Sequence, residues 1–347
     1  MTAPRPLLRL AGTGAPDGWP APGCPCASCA LAAAAPRLPL DVHVGAARLP
    51  DHALAVGSER VVDGVRVARP APGAWEATLP DGARLLLATA DEVPPASRPA
   101  YEVVLLGDAD AGLLAALRRS GAVSPSTQVV AVGLSHRHRP GDELERELAA
   151  MGVRALPDGA LLDLDAPAAV PAPPRRTLVL GGARSGKSAV AERLLAAEPA
   201  VTYVATAAPR ADDPEWDARV ATHRARRPAE WRTEETYDLE PLLAADGPPL
   251  LVDCLSLWLT GVLDECGAWD DGPDALPRVR RRVDALAAAW RGTSRRVVAV
   301  SSEVGSGVVP GTPSGRLFRD ELGRLNAAIA AESEQALHVV AGRVACL

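Results

Sequence analysis

The chain has 347 residues, which is enough for two domains that each bury a core of their own. Hydrophobic residues make up 48% of the chain but aromatic residues only 3%, so Leu, Val and Ala must fill those cores. The formal net charge of −6 argues against a dedicated nucleic-acid binder, because such proteins usually carry a basic surplus.

The same composition indicates a cytoplasmic protein without a membrane partner. No apolar run approaches the ~20 residues that cross a bilayer. The N-terminal stretch lacks the apolar segment and small-residue cleavage site of a signal peptide. In a reducing compartment, clustered cysteines such as Cys24, Cys26 and Cys29 indicate a metal site before a disulfide.

Residues 1–165 show an irregular pattern that predicts an α/β or α+β domain whose strand order the pattern leaves open. Short apolar runs predict four strands, and two amphipathic stretches between them predict helices. The predicted strands are "ARLLLATA" (83–90), "YEVVLLGD" (101–108), "TQVVAVGL" (127–134) and "VRALPDG" (153–159). The predicted helices are "AGLLAALRRS" (111–120) and "GDELERELAAM" (141–151).

The stretch "LAGTGAPDGWPAPGCPCASC", residues 10–29, resembles the opening of metallo-β-lactamase-fold hydrolases, in which such a cysteine cluster can hold a structural zinc. Three thiolates, those of Cys24, Cys26 and Cys29, leave a tetrahedral site one ligand short. His43, His52 or an acidic residue are the candidates for the fourth ligand. The alternative is three reduced thiols without a metal.

The active site of that hydrolase family needs the motif H-x-H-x-D-H. In "LSHRHRPGD", His136 and His138 fit, but Pro140 and Gly141 stand where Asp and His belong. A dinuclear metal centre of the usual kind is therefore excluded. We predict a degenerate, non-hydrolytic metallo-β-lactamase-like domain over residues 1–165, with His136 and His138 as polar residues at a strand end.

A proline-rich linker is predicted over residues 166–175, because four prolines there interrupt both helix and central strand. Beyond it, over residues 176–347, short apolar runs alternate with helical stretches. Apolar runs of this kind are typical of strands buried on both faces. The alternation predicts a three-layer α/β domain with a mostly parallel sheet.

Residues 181–188, "GGARSGKS", match G-x-x-x-x-G-K-[ST] between a predicted strand and a predicted helix. In such a loop, backbone N–H groups and the helix N-terminus surround phosphate oxygens. Lys187 would reach the β- and γ-phosphates, and the Ser188 hydroxyl would bind Mg²⁺. Lys187 is the only lysine in the chain, at a place where the broad guanidinium of arginine cannot replace a point charge. The candidate phosphate-binding residues are Gly181, Gly182, Ala183, Arg184, Ser185, Gly186, Lys187 and Ser188.

Two acidic residues follow later strands of the predicted sheet. Asp253, in "LLVDC", is the main candidate for holding Mg²⁺ together with Ser188. The alternative is that Asp253 caps the N-terminus of the next helix. Glu303, in "VVAVSSEVGSG", is a second and weaker candidate at the same edge of the sheet.

His223 lies among arginines in "ADDPEWDARVATHRARRP", residues 211–228. Neighbouring cations favour the neutral imidazole, which is a nucleophile toward phosphorus. The same arginines could hold a triphosphate for the attack. From spacing alone, His223 could equally belong to a solvated basic face of a helix.

Several motifs after residue 175 together resemble the bifunctional adenosylcobinamide kinase/adenosylcobinamide-phosphate guanylyltransferase family of cobalamin biosynthesis. They are "TLVLGGARSGKSAVAERL", "YVATA", "DDPEWDARVATHRARRP", "WRTEE", "LLVDCLSLWLTGVL", "SSEVGSGVVP" and "GRLFRDELGRLNAAIA", in this order. The resemblance implies a RecA-like P-loop fold and a homo-oligomer, often a trimer. It also implies two reactions, in which ATP or GTP phosphorylates adenosylcobinamide and GTP then donates GMP through a histidine.

The resemblance further implies that His223 carries the GMP, and that Lys187 is needed for both reactions. Some relatives have two adjacent histidines where this chain has Thr222 and His223, and relatives often have Glu where this chain has Asp253. The implied nucleotide contacts beyond the phosphate loop are Ala205, Thr206, Ala207, Arg224, Ala225, Arg226, Arg227, Glu235 and Asp253. The implied partner is a small corrinoid substrate rather than nucleic acid.

Two other functions fit the phosphate loop alone. One is a simple P-loop kinase of a small metabolite, which would form no covalent GMP adduct. The other is a RecA-type ATPase acting on nucleic acid or as a regulatory switch, which would need a basic groove that the acidic balance does not favour.

Overall fold

The computed structural model describes residues 7–89, 99–164, 172–206, 227–270, 272 and 274–347. The chain forms two compact units: unit 1 comprises Met1–Pro173 with Ala196–Pro199, and unit 2 comprises Pro174–Leu195 with Ala200–Leu347. Most of the predicted linker, 166–175, lies outside the described residues. In the described ranges, no helix is both long and apolar enough to span a membrane.

In its described residues, unit 1 is built from short strands and three helices. Its strands are β1 (Leu8–Gly12), β2 (Asp41–Val44), β3 (Ala47–Leu49), β4 (Glu59–Val62), β5 (Val65–Ala71), β6 (Ala74–Thr78), β7 (Arg84–Ala88), β8 (Val103–Gly107), β9 (Gln128–Val132), β10 (Arg154–Ala155) and β11 (Ala160–Leu162). Its helices are α1 (Ala27–Ala32), α2 (Ala111–Arg119) and α3 (Asp142–Ala150). The four predicted strands, now β7 to β10, and the two predicted helices, α2 and α3, are confirmed.

The strands of unit 1 form two sheets. A four-stranded sheet has the order β11-β1-β2-β3, and a seven-stranded sheet has the order β10-β9-β8-β7-β6-β5-β4. The seven-stranded sheet is parallel from β7 to β10 and antiparallel from β4 to β7. The antiparallel part was missed from the sequence, although Asp63-Gly64, with both φ angles positive, is a typical hairpin turn between β4 and β5.

Unit 1 has two apolar cores, one on each face of β8, and all residues of this strand are buried. Its Val103 and Leu105 belong to the core that the two sheets share. Its Val104 and Leu106 belong to a second core with α2 and α3. The resulting α/β architecture agrees with the predicted class, and the likeness to metallo-β-lactamases stays a prediction.

Unit 2 is a three-layer α/β domain. Its strands are β12 (Arg176–Gly181), β13 (Thr202–Ala205), β14 (Arg232–Glu235), β15 (Leu250–Asp253), β16 (Val297–Ser302), β17 (Gln335–Val340) and β18 (Arg343–Cys346). Its helices are α4 (Lys187–Leu195), α5 (Leu239–Ala244), α6 (Leu255–Cys266), α7 (Ala275–Gly292) and α8 (Pro313–Ala331), with a 3-10 turn at Ala268–Asp270. The strand order is β14-β13-β15-β16-β12-β17-β18.

The sheet of unit 2 is parallel except for the β17–β18 hairpin, which confirms the predicted mostly parallel sheet. On one face, Leu178 and Leu180 of β12 pack in a core with α5 to α8. Helix α4 packs against β12, β15 and β16 with a separate set of buried residues that includes Val190 and Leu194. Burial of both faces explains why the strands consist of continuous apolar runs.

Candidate functional site

The candidate site lies at the carboxyl edge of the parallel sheet in unit 2. Neighbouring parallel strands end at the same edge, so their last residues come together. The residues that end or directly follow the five strands are Gly181, Ala205, Glu235, Asp253 and Ser302. All of these except Ser302 were predicted to bind nucleotide. The sheet brings them to one edge, although Gly181 and Asp253 are 72 positions apart in the sequence.

The phosphate loop joins β12 to α4 in the strand–loop–helix order that the motif predicts. Gly181 is required at the end of β12, because a Cβ there would lie 2.5 Å from Ser185 Oγ and 2.7 Å from the Val339 carbonyl oxygen. Gly186 has a φ of +94°, which also favours glycine. The Gly342 N–H donates to the Ser185 carbonyl at 2.8 Å, so the β17–β18 turn braces the loop.

Two polar groups of the loop are prepared for an anionic ligand. Lys187 begins α4, and its Nζ donates to the Gly182 carbonyl at 3.1 Å, which folds the ammonium back over the loop. The Ser185 hydroxyl is buried and has no hydrogen-bond partner among the described residues. Buried polar atoms are nearly always paired, so this hydroxyl is suited to a ligand oxygen.

A chain of three side chains crosses the site from β13 to β15. The Tyr203 hydroxyl donates to Asp253 Oδ2 at 3.0 Å, and the Arg227 guanidinium stacks 3.2 Å from the Tyr203 ring centroid. Burial, and then the charge of Asp253, raise the pKa of Tyr203, so the phenol keeps its proton as donor. Asp253 therefore has a fixed orientation, with Oδ1 on the other side of the carboxylate.

Thr206 fixes the backbone next to Asp253. Its buried hydroxyl donates to the Cys254 carbonyl at 2.6 Å and accepts from the Cys254 N–H at 2.9 Å. Burial raises the pKa of the Cys254 thiol, which therefore stays neutral beside Asp253. The N-cap residue of α6 is Cys254, so the alternative that Asp253 is the helix cap is wrong.

Glu303 lies beside the phosphate loop, where its N–H donates to the Gly181 carbonyl at 3.1 Å. Its carboxylate turns back and accepts from the N–H groups of Gly305 and Ser306 at 2.7 and 3.2 Å. Although partial burial opposes ionisation, the hydrogen bonds from Ser306 and Gly305 lower the pKa of Glu303. The carboxylate thus organises its own loop, and its role as the weaker Mg²⁺ candidate stays a prediction.

The predicted nucleophile falls outside the described residues. The stretch 207–226 contains His223 and the predicted contacts Ala207, Arg224, Ala225 and Arg226. Their roles stay predictions. Arg227, the first described residue after this stretch, contacts Tyr203 and also donates to Thr233 Oγ1 at 3.4 Å.

Unit 1 contains a second candidate site, for a metal. Cys24, Cys26, Cys29 and His136 bring their ligand atoms within 4.8 Å of one another, with Cys24 Sγ 3.6 Å from His136 Nδ1. Tetrahedral zinc with Zn–S of about 2.3 Å and Zn–N of about 2.1 Å places its ligand atoms roughly 3.5–3.8 Å apart. The donor set therefore suits zinc, and the 3.6 Å between Cys24 Sγ and His136 Nδ1 lies in this range.

The fourth residue of this cluster corrects the sequence prediction. His43 and His52 are not members of it, and His136 is not merely a polar residue at a strand end. The loop after β9 carries His136 to α1, where Ser28 Oγ donates to the His138 carbonyl at 2.6 Å. This contact bridges 110 positions of sequence, so no local pattern could reveal it.

His138 fixes the same loop from its other side. Its Nε2 lies 2.9 Å from the Asp108 carbonyl oxygen, and its Nδ1 lies 3.8 Å from Glu147 Oε2. Burial opposes protonation, but the hydrogen bonds to Asp108 and Glu147 raise the pKa of His138 to about 9. A charged His138 that is bound on both sides has the polar structural role that the sequence predicted.

The second half of the chain matches a known family. A sequence model of the family described as cobinamide kinase / cobinamide phosphate guanyltransferase matches residues 177–347. The match therefore covers the phosphate loop, the strand ends and the stretch with His223.

Three curated proteins are similar to about half of the chain. A bifunctional adenosylcobalamin biosynthesis protein, CobP, from Pseudomonas aeruginosa is 47% identical over 172 residues, which are 48% of this chain and 94% of that protein. Proteins named CobU with the same description, from Salmonella typhimurium and Escherichia coli, are each 38% identical over 174 and 175 residues. Those regions are 48% of this chain and 95% of each relative.

Proposed function

This chain belongs to the cobinamide kinase / cobinamide phosphate guanyltransferase family, and from that premise we propose how unit 2 carries out both reactions. It is a bifunctional enzyme of adenosylcobalamin biosynthesis. ATP or GTP first phosphorylates the aminopropanol hydroxyl of adenosylcobinamide. GTP then supplies GMP to the phosphorylated product, which gives adenosylcobinamide-GDP and pyrophosphate.

The observation that carries this proposal is the prepared phosphate loop. Its N–H groups, the Ser185 hydroxyl and the Lys187 ammonium bind the triphosphate in the kinase reaction. The loop neutralises the charge that moves to the β-phosphate when the bond to the γ-phosphorus breaks. The acceptor hydroxyl attacks that phosphorus, its proton passes to solvent, and the nucleoside diphosphate leaves.

The residues that would hold Mg²⁺ in this reaction are Ser188, through its hydroxyl, and Asp253, through its carboxylate. A bound Mg²⁺ would shield the phosphate charges and orient the triphosphate. The Tyr203 hydroxyl holds one oxygen of Asp253, which leaves the other for the metal. Thr206 keeps the backbone of this strand end in place.

In the second reaction, His223 attacks the α-phosphorus of GTP with a neutral ring nitrogen. A P–N bond forms, the bond to the β-phosphate oxygen breaks, and pyrophosphate leaves. A phosphate oxygen of the phosphorylated acceptor then attacks the same phosphorus and displaces His223. The remaining nucleotide contacts come from Ala205, Thr206, Ala207, Glu235 and the Arg224–Arg227 stretch.

Incubation with GTP labelled at the α-phosphate tests the covalent step. We expect acid-labile label on the protein without any acceptor, and its loss on addition of phosphorylated adenosylcobinamide. His223→Ala should abolish the label, whereas a simple P-loop kinase would show none in the unaltered protein. Label that survives in His223→Ala would contradict the assignment of the nucleophile.

For unit 1 we propose a structural zinc on Cys24, Cys26, Cys29 and His136. Four protein ligands leave no open position, which is typical of structural rather than catalytic zinc. The domain around it is the degenerate, non-hydrolytic partner predicted from the motif. Hydrolysis of a phosphodiester or lactam substrate by the zinc- or manganese-loaded protein would contradict this.

We further propose that the enzyme acts in the cytoplasm as a homo-oligomer, with a trimer expected. Light scattering of the purified protein measures the mass directly. A monomeric mass at the concentrations of the activity assay would contradict this expectation.

A further inference from the structure

Unit 2 leaves a small set of aliphatic side chains exposed to solvent. Among its described residues, the large hydrophobic side chains exposed in this way are Val308 (94%), Val309 (62%), Val340 (59%) and Leu347 (75%). Single exposed apolar residues are common on folded proteins, but two adjacent ones on one loop form a patch that indicates a contact.

Three of these four residues belong to segments that contact the phosphate loop through other residues. Val308 and Val309 belong to the loop after β16, whose first residue, Glu303, donates its N–H to the Gly181 carbonyl at 3.1 Å. Val340 ends β17, directly before the turn that contacts Ser185. Leu347 lies at the opposite edge of the sheet, where its N–H donates to the Ala336 carbonyl at 3.0 Å.

The loop that carries the two valines is tied down at both ends. At its start, Glu303 accepts two backbone N–H groups, and Arg319 Nη2 donates to the Gly305 carbonyl at 2.6 Å. At its end, Arg316 Nη1 donates to the carbonyls of Pro310 and Gly311 at 3.1 and 2.9 Å. The valines are therefore presented on a fixed support, which reduces the entropy lost on binding.

The chemistry of this loop differs from that of the phosphate loop. Beyond Glu303, whose carboxylate accepts hydrogen bonds within the loop, residues 304–312, "VGSGVVPGT", carry no charged side chain, whereas the phosphate loop carries Arg184 and Lys187. The acceptor in the proposed reactions is a corrinoid, a broad ring with methyl groups and neutral amide side chains. Such a body is recognised largely by apolar contact, and this loop offers the exposed side chains of Val308 and Val309 for it.

We propose that the 304–312 loop, through Val308 and Val309, binds the corrin ring of the acceptor while the aminopropanol arm reaches the phosphate loop. This inference rests on the proposed function and adds the residues that select its substrate. Because the ring does not change between the two reactions, the same contact serves both phosphorylation and GMP transfer.

The double variant Val308→Ser/Val309→Ser tests the inference in the full-length protein. Both side chains are exposed, so the substitutions leave folding intact. Equilibrium dialysis with cobinamide, measured by its visible absorption, should show a dissociation constant raised about tenfold. The KM for cobinamide should rise in parallel, while the KM for the nucleotide and GMP labelling without acceptor stay within about twofold of the original.

The matched control is Leu347→Ser, an exposed aliphatic residue at the opposite edge of the sheet, which should leave cobinamide binding unchanged. Unchanged cobinamide binding in the double variant would overturn the inference. A smaller mass by light scattering with unchanged cobinamide binding would also overturn it and assign the loop to contacts between copies. A wild-type protein without GMP labelling or kinase activity would instead remove the proposed function itself.

Discussion

Both units contain an arginine stacked on a buried tyrosine whose hydroxyl donates to a carboxylate. In unit 1, Arg84 lies 4.5 Å from the ring centroid of Tyr101, and the Tyr101 hydroxyl donates to Glu76. In unit 2, the corresponding trio is Arg227, Tyr203 and Asp253. One combination of side chains thus occurs in two different surroundings.

The surroundings decide what each trio can do. In unit 1, Arg84 Nη2 also bonds Glu76 at 3.2 Å, so the trio closes on itself between neighbouring strands β6 and β7. In unit 2, Asp253 supplies the carboxylate and ends β15 at the carboxyl edge of the sheet. The phosphate loop leads into α4 at the same edge. The same three residue types therefore form a stabilising contact in unit 1. In unit 2 they form part of a candidate site, because their carboxylate lies at the carboxyl edge of the sheet.

The largest expected effect concerns the phosphate loop. Lys187→Ala should lower kcat/KM of both reactions by about 100-fold or more, because the triphosphate loses its point charge. Lys187→Arg should be similarly impaired, since the guanidinium does not fit the same place. Kinase assays and GMP labelling measure this, with zinc content as an internal control that must stay constant. Full activity of Lys187→Arg would contradict the role given to the ammonium.

The next effect concerns the metal cluster in unit 1. His136→Ala should weaken zinc binding by more than about tenfold, because one of four ligands is lost. Competition with a chromophoric chelator measures the affinity, and thermal unfolding should shift down in the same variant. His43→Ala and His52→Ala are the matched controls, since both residues lie outside the cluster. Equal zinc affinity in all three variants would rule out His136 as a ligand.

A smaller effect separates the two tyrosine trios. Tyr203→Phe and Tyr101→Phe each delete a hydroxyl donor, so each should lower the free energy of unfolding by about 1 kcal/mol. Only Tyr203→Phe should also slow phosphoryl and GMP transfer, by several-fold, because Asp253 loses its orientation. Urea unfolding and steady-state rates give the two readouts. An equal loss of activity in both variants would contradict the different roles that we give to the two trios.

The smallest effect comes from an ion pair far from the site. Arg176 and Glu334, 158 positions apart, join the starts of β12 and β17, with Arg176 Nη2 2.7 Å from Glu334 Oε1. The hydrogen bond from Arg176 lowers the pKa of Glu334. The pair is partly exposed, so Glu334→Gln should cost only about 0.5 kcal/mol at pH 7.

The pH dependence of that cost follows from the direction of the shift. A carboxyl whose pKa is lowered by folding stabilises the protein above its ordinary pKa, about 4.3, and loses this contribution as the pH falls through the folded value. Urea unfolding of both proteins should therefore differ at pH 7 and converge at pH 3. A difference that persists at pH 3 would assign the effect to packing instead.

The sequence by itself determined the architecture of unit 2 and its phosphate loop. Strands buried on both faces need continuous apolar runs, and a loop around phosphate needs glycines and one lysine within eight residues, so both leave local patterns. The strands β7 to β9 were visible for the same reason. The antiparallel strands β4 to β6 were not, because polar residues such as Arg66 and Glu76 interrupt their apolar residues.

Only the tertiary structure decided which distant residues share a site. His136 joins Cys24 through a loop 112 positions away, and Tyr203 meets Asp253 across two neighbouring strands 50 positions apart. The exposure of Val308 and Val309 is likewise invisible in a sequence, where two valines predict a buried strand. Local sequence patterns indicate which secondary structure a segment forms. Ligand sets and exposed patches depend instead on how distant segments pack together.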